Sequence, residues 1–445
     1  MVSANATRPN VVWVFGDQHR AQAQGHMGDP NLATPHLDRL AADGLVSTAA
    51  VAGCPLCCPY RGSLLSGRYP HHCVPGHQYP MATEQQTVAH AFKSAGYHTA
   101  WFGKWHVDGW QEHQGRAAHH IVPPERRGGF DTWVGYENNN SQWDTWVHGG
   151  RDGSAFLERL PGFETDALTD RFIKHLKDRS AQGGQPFFAA LSVQPPHDPY
   201  IAPAEWMARH SPATVRLRPN VPEIPRVVEK ARREYAGYCA MIENLDWNLG
   251  RIQAALEESG LTDETHVIFF SDHGDMHGSH GMFRKTNPYE ESIRVPFILG
   301  GARARYRFKL GRKALPINHV DMAPTTLGLC GIAKPGWMEG FDYSGHYLKD
   351  RSTDGEPDSA YLQLVVPTLH GDSTDRAWRG VVTRDGWKYV CIEGQPWLLF
   401  NLNEDPYELA NLAHNTLFRA ERKRLHERLA QWLADTGDEF NLPKL

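Results

Sequence analysis

Four short apolar runs, each closed by glycine or small polar residues and separated by stretches of helical periodicity, constrain this chain more than any other feature. Asn10-Val11-Val12-Trp13-Val14-Phe15 ends at Gly16-Asp17, and Tyr97-His98-Thr99-Ala100-Trp101-Phe102 ends at Gly103. Pro186 to Val193 contains a third run, and His266-Val267-Ile268-Phe269-Phe270 ends at Ser271-Asp272-His273. Runs of this length and character fit strands covered on both faces, as in a parallel sheet. Between them, Thr34-Pro35 opens a helix with Thr34 as N-cap and Leu37, Leu40 and Ala41 on one face. Thr87 to Ala95 reads as a second helix, ended by Gly96, and Arg232 to Glu258 as a long helix with a mostly apolar face. The alternation predicts an α/β fold: a large, mostly parallel sheet sandwiched by helices. In such sheets ligands bind beyond the carboxyl ends of the strands. Asp17, Lys104, His197 and Asp272 each follow an expected strand closely, so one sheet edge can gather them.

After about residue 360 the texture changes. Trp378 to Val382, Trp387 to Ile392 and Trp397 to Leu402 read as short strands separated by turns, and Leu417 to Thr436 as an amphipathic helix. The expected organisation is a large α/β domain over residues 1–360 and a smaller C-terminal antiparallel sheet with a terminal helix over residues 361–445. A chain of 445 residues has room for both.

A net charge of −5 and a pI near 6.6 exclude the strongly basic profile of a nucleic-acid binder. No apolar run reaches the length of a membrane span, and Met1 to Asn10 holds no secretory signal. Seven cysteines at irregular spacing argue against a disulfide framework. The expectation is a cytoplasmic protein without nucleic-acid or membrane partners.

Cys57-Cys58-Pro59-Tyr60-Arg61 has the form C-x-P-x-R and continues as Gly62-Ser63-Leu64-Leu65-Ser66-Gly67-Arg68. Pro59 fits the first turn of a helix, where a missing N–H costs nothing. Cys57 then sits at or just before the N-terminus, where free N–H groups and the dipole favour an anion. Arg61 lies close enough to hydrogen-bond the same group. A plain buried cysteine in a turn is the alternative reading of these residues. Asp17-Gln18 and Asp272-His273 each pair a carboxylate with a neutral donor, a combination that can hold a divalent cation. An aspartate at a strand end is as readily a turn former. Lys104 and His106 in Gly103-Lys104-Trp105-His106, His197 in Gln194-Pro195-Pro196-His197-Asp198-Pro199-Tyr200, and Lys285 offer an anion site and proton carriers. Their bland alternatives are solvated lysines and loop-packing imidazoles.

The C-x-P-x-R run resembles the signature of the type I, formylglycine-dependent sulfatases of the alkaline phosphatase superfamily. Gly103 to His106, Thr34 to Leu40, Asp321 to Leu327 and Leu402 to Leu409 are also similar to segments of that family, so the resemblance spans nearly the whole chain. It implies metal-dependent hydrolysis of sulfate monoesters, arylsulfatase-like, with Cys57 oxidised to formylglycine by a maturation enzyme. It implies one divalent ion, Ca²⁺ or Mn²⁺, held by Asp17, Gln18, Asp272 and His273. Arg61, Lys104 and Lys285 would then offset charge on the transferred group. His197, together with Lys285, would protonate the departing alcohol, and His106 would take the proton of the second hydroxyl of the hydrated aldehyde. The implied partner is a small-molecule or saccharide sulfate ester, with homo-oligomerisation left open. His277 and His280 are read as loop residues, and the amide-rich stretch Glu137 to Asp144 as either a substrate loop or a structural turn.

Three features depart from the family pattern. Gln18 and His273 stand where most sulfatases carry Asp and Asn, as in the phosphonate monoester hydrolases, and the added imidazole raises the odds of Mn²⁺ over hard Ca²⁺. Tyr60 replaces a small residue within the motif. His77 or Gln78 occupies the region of a usual asparagine. A phosphonate monoester or phosphodiester hydrolase built on the same centre is therefore the first alternative. A redox or zinc role for Cys54-Pro55-Leu56-Cys57, and a binding protein with unconverted Cys57, are the others.

Overall fold

A strand covered on both sides must feed two cores, because successive side chains point to opposite faces. In β1 (Asn10–Gly16), Val11, Trp13 and Phe15 enter one core while Val12 and Val14 enter the other. The computed structural model describes residues 8–302, 310–368 and 371–445. Along the chain follow β2 (Leu45–Ser47), β3 (His98–Lys104), β4 (Thr132–Tyr136), β5 (Trp146–Gly149) and β6 (Phe156–Arg159). Then come β7 (Phe187–Val193), β8 (Thr265–Ser271), β9 (Phe297–Gly301) and β10 (Gly311–Lys313). Among the described residues these ten strands form one sheet in the order β10-β2-β9-β8-β1-β7-β3-β4-β5-β6. Its centre, β8-β1-β7-β3-β4, is parallel throughout. Antiparallel pairs appear on either side, where β9 joins β8 and β2, and β5 joins β4 and β6.

Helices cover both faces. The Cys57–Ser66, Val88–Ser94 and His319–Leu329 helices pack on the face of Trp13, Phe15, Trp101 and Phe188. The Pro35–Ala42, Glu164–Gln182 and Pro225–Glu258 helices pack on the face of Val12, Val14, Phe102 and Leu191. The four strands read from sequence are β1, β3, β7 and β8. The long helix starts well before Arg232, at Pro225, whose ring suits a first helical turn. Thr34 does not cap its helix: its Oγ1 donates to Asp38 and accepts from Gly25 N. Asp246 of the long helix caps it instead, accepting from Leu37 N at 2.7 Å and His36 N at 3.2 Å.

A second, antiparallel sheet joins β11 (Ser359–Leu364), β12 (Trp378–Thr383), β13 (Trp387–Ile392) and β14 (Gln395–Asn401) in that order. One face of it packs on Leu425, Leu429, Trp432 and Leu433 of the C-terminal Arg419–Thr436 helix. The other face, with Leu362, Trp378 and Val390, packs on Val51, Cys54, Leu56 and Ile293 of the larger body. Trp378 Nε1 donates to Thr286 O at 3.0 Å and Lys388 Nζ to Pro288 O at 2.7 Å. The small sheet thus braces both the approach to Cys57 and the loop after Lys285. Among the described residues no helix is long and apolar enough to cross a membrane.

Many histidines are buried without a compensating charge. Burial pushes the imidazoles of His19 and His175 down to about 4, and those of His148 and His319 down to about 3, from an ordinary 6.5. These rings stay neutral in the folded chain and take up protons when it unfolds in mild acid. Their stabilisation is full above the unfolded value of 6.5 and is lost as the pH falls towards 4. The loss is about 1.4 kcal/mol per pH unit for each proton taken up. Urea midpoints should therefore drop between neutral pH and mild acid, and His175→Phe, on the face of the Glu164–Gln182 helix towards Phe102, should flatten that slope. A midpoint indifferent to pH over this range would contradict the burial argument.

Candidate active site

Parallel pairing in register brings Gly16 opposite Ser271, so the residues that follow them emerge side by side at the carboxyl edge of the sheet. Asp17, Gln18, Asp272 and His273 meet there, all fully buried. Cys57 is the first residue of its helix, and Pro59 lies in the first turn. Its Sγ approaches His273 Nε2 at 3.1 Å and Asp17 Oδ1 at 3.6 Å. Donor atoms of Asp17, Cys57, Asp272 and His273 all lie within 4.8 Å of one another. His273 Nδ1 lies 3.1 Å from Gly274 O. A carbonyl only accepts, so Nδ1 donates its proton there and Nε2 faces the cluster, where, against burial, Asp272 favours the charged ring and a bound metal would take the place of the proton. Two carboxylates and this nitrogen around one point form a donor set that fits a divalent cation.

Gln18 is held in the left-handed region, with φ of 72°. Its backbone N–H donates to Asp272 Oδ1 at 2.9 Å, and its side-chain Nε2 to Asp275 Oδ2 at 2.5 Å. Its Oε1 accepts from Lys285 Nζ at 2.7 Å, and the same ammonium lies 3.4 Å from Cys57 Sγ. Asp275 and Tyr200, which anchor this amide, went unnoticed in the sequence; the short spacing Asp272-His273-Gly274-Asp275 was the available signal.

Arg61 was expected on the substrate anion. Its guanidinium is wholly buried beneath the site, and both terminal nitrogens are engaged. Nη1 donates to Lys104 O at 2.9 Å and Ser192 Oγ at 2.8 Å, while Nη2 reaches Asp17 Oδ2 at 3.3 Å and Asp272 Oδ2 at 3.4 Å. Arg61 therefore orders the carboxylates. Lys104 Nζ bonds Asp17 Oδ2 at 2.6 Å and also borders the open space above.

That space is a cavity of about 750 Å³, bordered by Cys57, Lys104, His106, His197 and Lys285 and also by Asn138, Asn140, Arg284 and Asp372. His197 Nδ1 contacts Asp198 O at 2.8 Å, which fixes the tautomer and leaves Nε2 bare. Burial, reinforced by the Lys285 ammonium, pushes this imidazole down to about 4. His106 has φ of 60° and a buried Nδ1 without a hydrogen-bond partner. Burial, with Lys104 and His77 nearby, holds it well below the ordinary imidazole range, so it is a neutral proton acceptor. For Asp17, burial favours the acid form, but Lys104, His197, Lys285 and His273 together outweigh it and hold the carboxyl well below its usual range. Burial and Asp17 oppose ionisation of Cys57, yet Lys285, Lys104 and His273 together bring its thiol below the ordinary value.

Asn138 and Asn140 border the cavity, while Gln142 Nε2 donates to His197 O at 2.7 Å. His277 is a loop residue packed among Tyr200, Tyr235 and Tyr238. His280 lies beside Glu291 and Glu408, where the Lys388 ammonium pairs with Glu408 and supplies the positive charge.

Comparison with known proteins agrees with this geometry. The sulfatase family model matches residues 9–332, and a model described as N-sulphoglucosamine sulphohydrolase, C-terminal, matches residues 278–435. An ulvan-active sulfatase of Formosa agariphila is 34% identical, over 98% of this chain and 83% of its own. A putative sulfatase yidJ from Bacteroides fragilis superposes with a TM-score of 0.86 at 27% identity, covering 99% of each chain. The phosphonate monoester hydrolase of Agrobacterium radiobacter shares the fold, with a TM-score of 0.77 at 22% identity over 96% of each chain. The chain thus belongs to the sulfatase family, within the alkaline phosphatase superfamily, and is a hydrolase of sulfate esters.

Proposed function

We propose that the protein hydrolyses sulfate monoesters of saccharides or similar polar alcohols, using formylglycine made from Cys57 and one divalent ion. The observation that carries this reading is the convergence of Cys57 on Asp17, Asp272 and His273 beneath a cavity walled by two lysines. The polar residues Asn138, Asn140, Arg284 and Asp372 suit a hydroxyl-rich substrate. The C-terminal family model, named for a hydrolase acting on N-sulphoglucosamine, favours the same class.

Asp17, Asp272 and His273 would hold the ion, and Gln18 would join them only by giving up its bond from Lys285. The imidazole makes a borderline ion such as Mn²⁺ a better match than Ca²⁺. Bound there, the ion would supply Lewis acidity towards the nucleophile and the ester oxygens. Formylglycine would supply, in its hydrated form, a nucleophile that can later release sulfate by returning to the aldehyde.

The remaining work falls to ordinary side chains. Lys104 and Lys285 present two ammonium groups to the sulfate oxygens as negative charge builds on the transferred group. His197 turns bare Nε2 to the cavity, takes up a proton as the anion enters beside it, and delivers that proton to the departing alcohol oxygen. His106, neutral at its buried position, accepts the proton released when sulfate leaves. Arg61 keeps the two carboxylates apart and correctly aimed.

Cys57→Ala and Cys57→Ser should each lower kcat/KM for an aryl sulfate by roughly a thousandfold or more, the scale of losing a covalent nucleophile. Peptide mass spectrometry of the wild type should find the aldehyde at position 57; activity at wild-type level in both variants would end this reading. Exhaustive chelation should abolish turnover, with Mn²⁺ restoring more of it than Ca²⁺ and elemental analysis finding one ion per chain. The second reading rests on Gln18 and His273, the positions that match phosphonate hydrolases. Assays of an aryl sulfate and an aryl phosphonate side by side should give the larger kcat/KM for the sulfate, and the reverse order would favour that reading.

A further inference from the structure

Beside the proposed centre lies a second group of side chains of metal-ligating type, of which the proposed reaction uses only His106. Cys58 is the neighbour of Cys57, but its thiol faces the other way, towards His77 and His106. One donor atom from each of Cys58, His77 and His106 lies within 4.8 Å of the other two. Cys58 Sγ and His77 Nδ1 are 3.6 Å apart. Tetrahedral zinc, with Zn–S about 2.3 Å and Zn–N about 2.0–2.1 Å, sets sulfur and nitrogen about 3.6 Å apart.

Three features bear on a ligand there. His106 is nine-tenths buried, and its Nδ1 has no hydrogen-bond partner. Behind His77, Nε2 faces Glu112 Oε1 at 3.6 Å, an ion-pair distance that is longer than a hydrogen bond and places a carboxylate on the far side of the ring. The Gln78 backbone N–H donates towards Cys58 Sγ at 3.4 Å, partly offsetting the burial that pushes the free thiol up. His77 and His106 both border the active-site cavity, so a fourth position would open onto it.

We propose that Cys58, His77 and His106 form a thiophilic cation site, selective for Zn²⁺-like ions, that switches the enzyme off by occupying the His106 imidazole. Binding forms one metal–sulfur and two metal–nitrogen bonds and releases the Cys58 thiol proton to solvent. Soft sulfur and two imidazoles exclude Ca²⁺ and favour zinc over manganese, so this site and the oxygen-rich centre discriminate between ions. The inhibitory consequence rests on the sulfatase reading; the binding site itself does not.

The experiment has two arms. In the first, zinc inhibition of aryl sulfate hydrolysis is titrated for wild type, Cys58→Ser and Cys58→Ala, with excess Mn²⁺ present. Both variants should keep wild-type turnover without zinc and need at least tenfold more zinc for half inhibition; undiminished sensitivity in both would overturn the proposal. In the second, Co²⁺ is added to Cys57→Ser and to Cys57→Ser/Cys58→Ser protein. The single variant should show a thiolate-to-cobalt charge-transfer band and the double variant none. An absent band in the single variant, or an equal band in both, would overturn the site even if the protein hydrolyses no sulfate. Conversely, a band lost with Cys58 beside a Cys57→Ala variant of full activity would retire the sulfatase mechanism and leave the site standing.

Discussion

One guanidinium reaches the carboxyl ends of four neighbouring strands. Arg61 bonds Asp17 after β1, Asp272 after β8, Lys104 O at the end of β3 and Ser192 in β7, and these strands lie side by side as β8-β1-β7-β3. Without it, two buried carboxylates would face each other at the sheet edge. Like charges about 4 Å apart repel by about 4 kcal/mol even at an effective dielectric of 20. Removing one partner from a buried ionic group leaves the rest uncompensated, which costs several kcal/mol. The helix that delivers Arg61 under the sheet, with Lys104 bonded to Asp17 from β3, lets the sheet edge present an anionic ligand set.

The same helix delivers Cys57 at its first position. Its fourth-residue spacing places the cysteine above the carboxylates and the arginine below them, about one turn apart. The C-x-P-x-R motif is therefore a geometric device as much as a chemical one: Pro59 starts the turn, and the two functional groups lie on one side of it.

How far the sequence disclosed this follows from what each element depends on. β1, β3, β7 and β8 were legible because strands buried on both faces must be apolar throughout. β2 and β10 have three residues each, and β4 to β6 draw much of their stability from pairing at one side of the sheet, so no local run announces them. The convergence of Asp17 and Asp272 at one sheet edge was legible, since parallel strand ends fix where both residues emerge. The hydrogen bonds of Arg61 were not, because they depend on which oxygens the folded sheet turns towards it. The clamp on Gln18 by Asp275 and Tyr200 and the meeting of Cys58 with His77 and His106 are likewise products of tertiary convergence, invisible to spacing.

The small antiparallel sheet gives the assembly a chronology. Its strands come from the last part of the chain, yet they support Leu56 on one side of Cys57 and Thr286 and Pro288 beyond Lys285 on the other. A chain lacking them lacks one wall of that site. In the finished protein Cys57 is only 3% exposed. Any enzyme that must handle that side chain therefore has its best opportunity early, while the C-terminal strands are unmade or unpaired, and their pairing is what shuts the door.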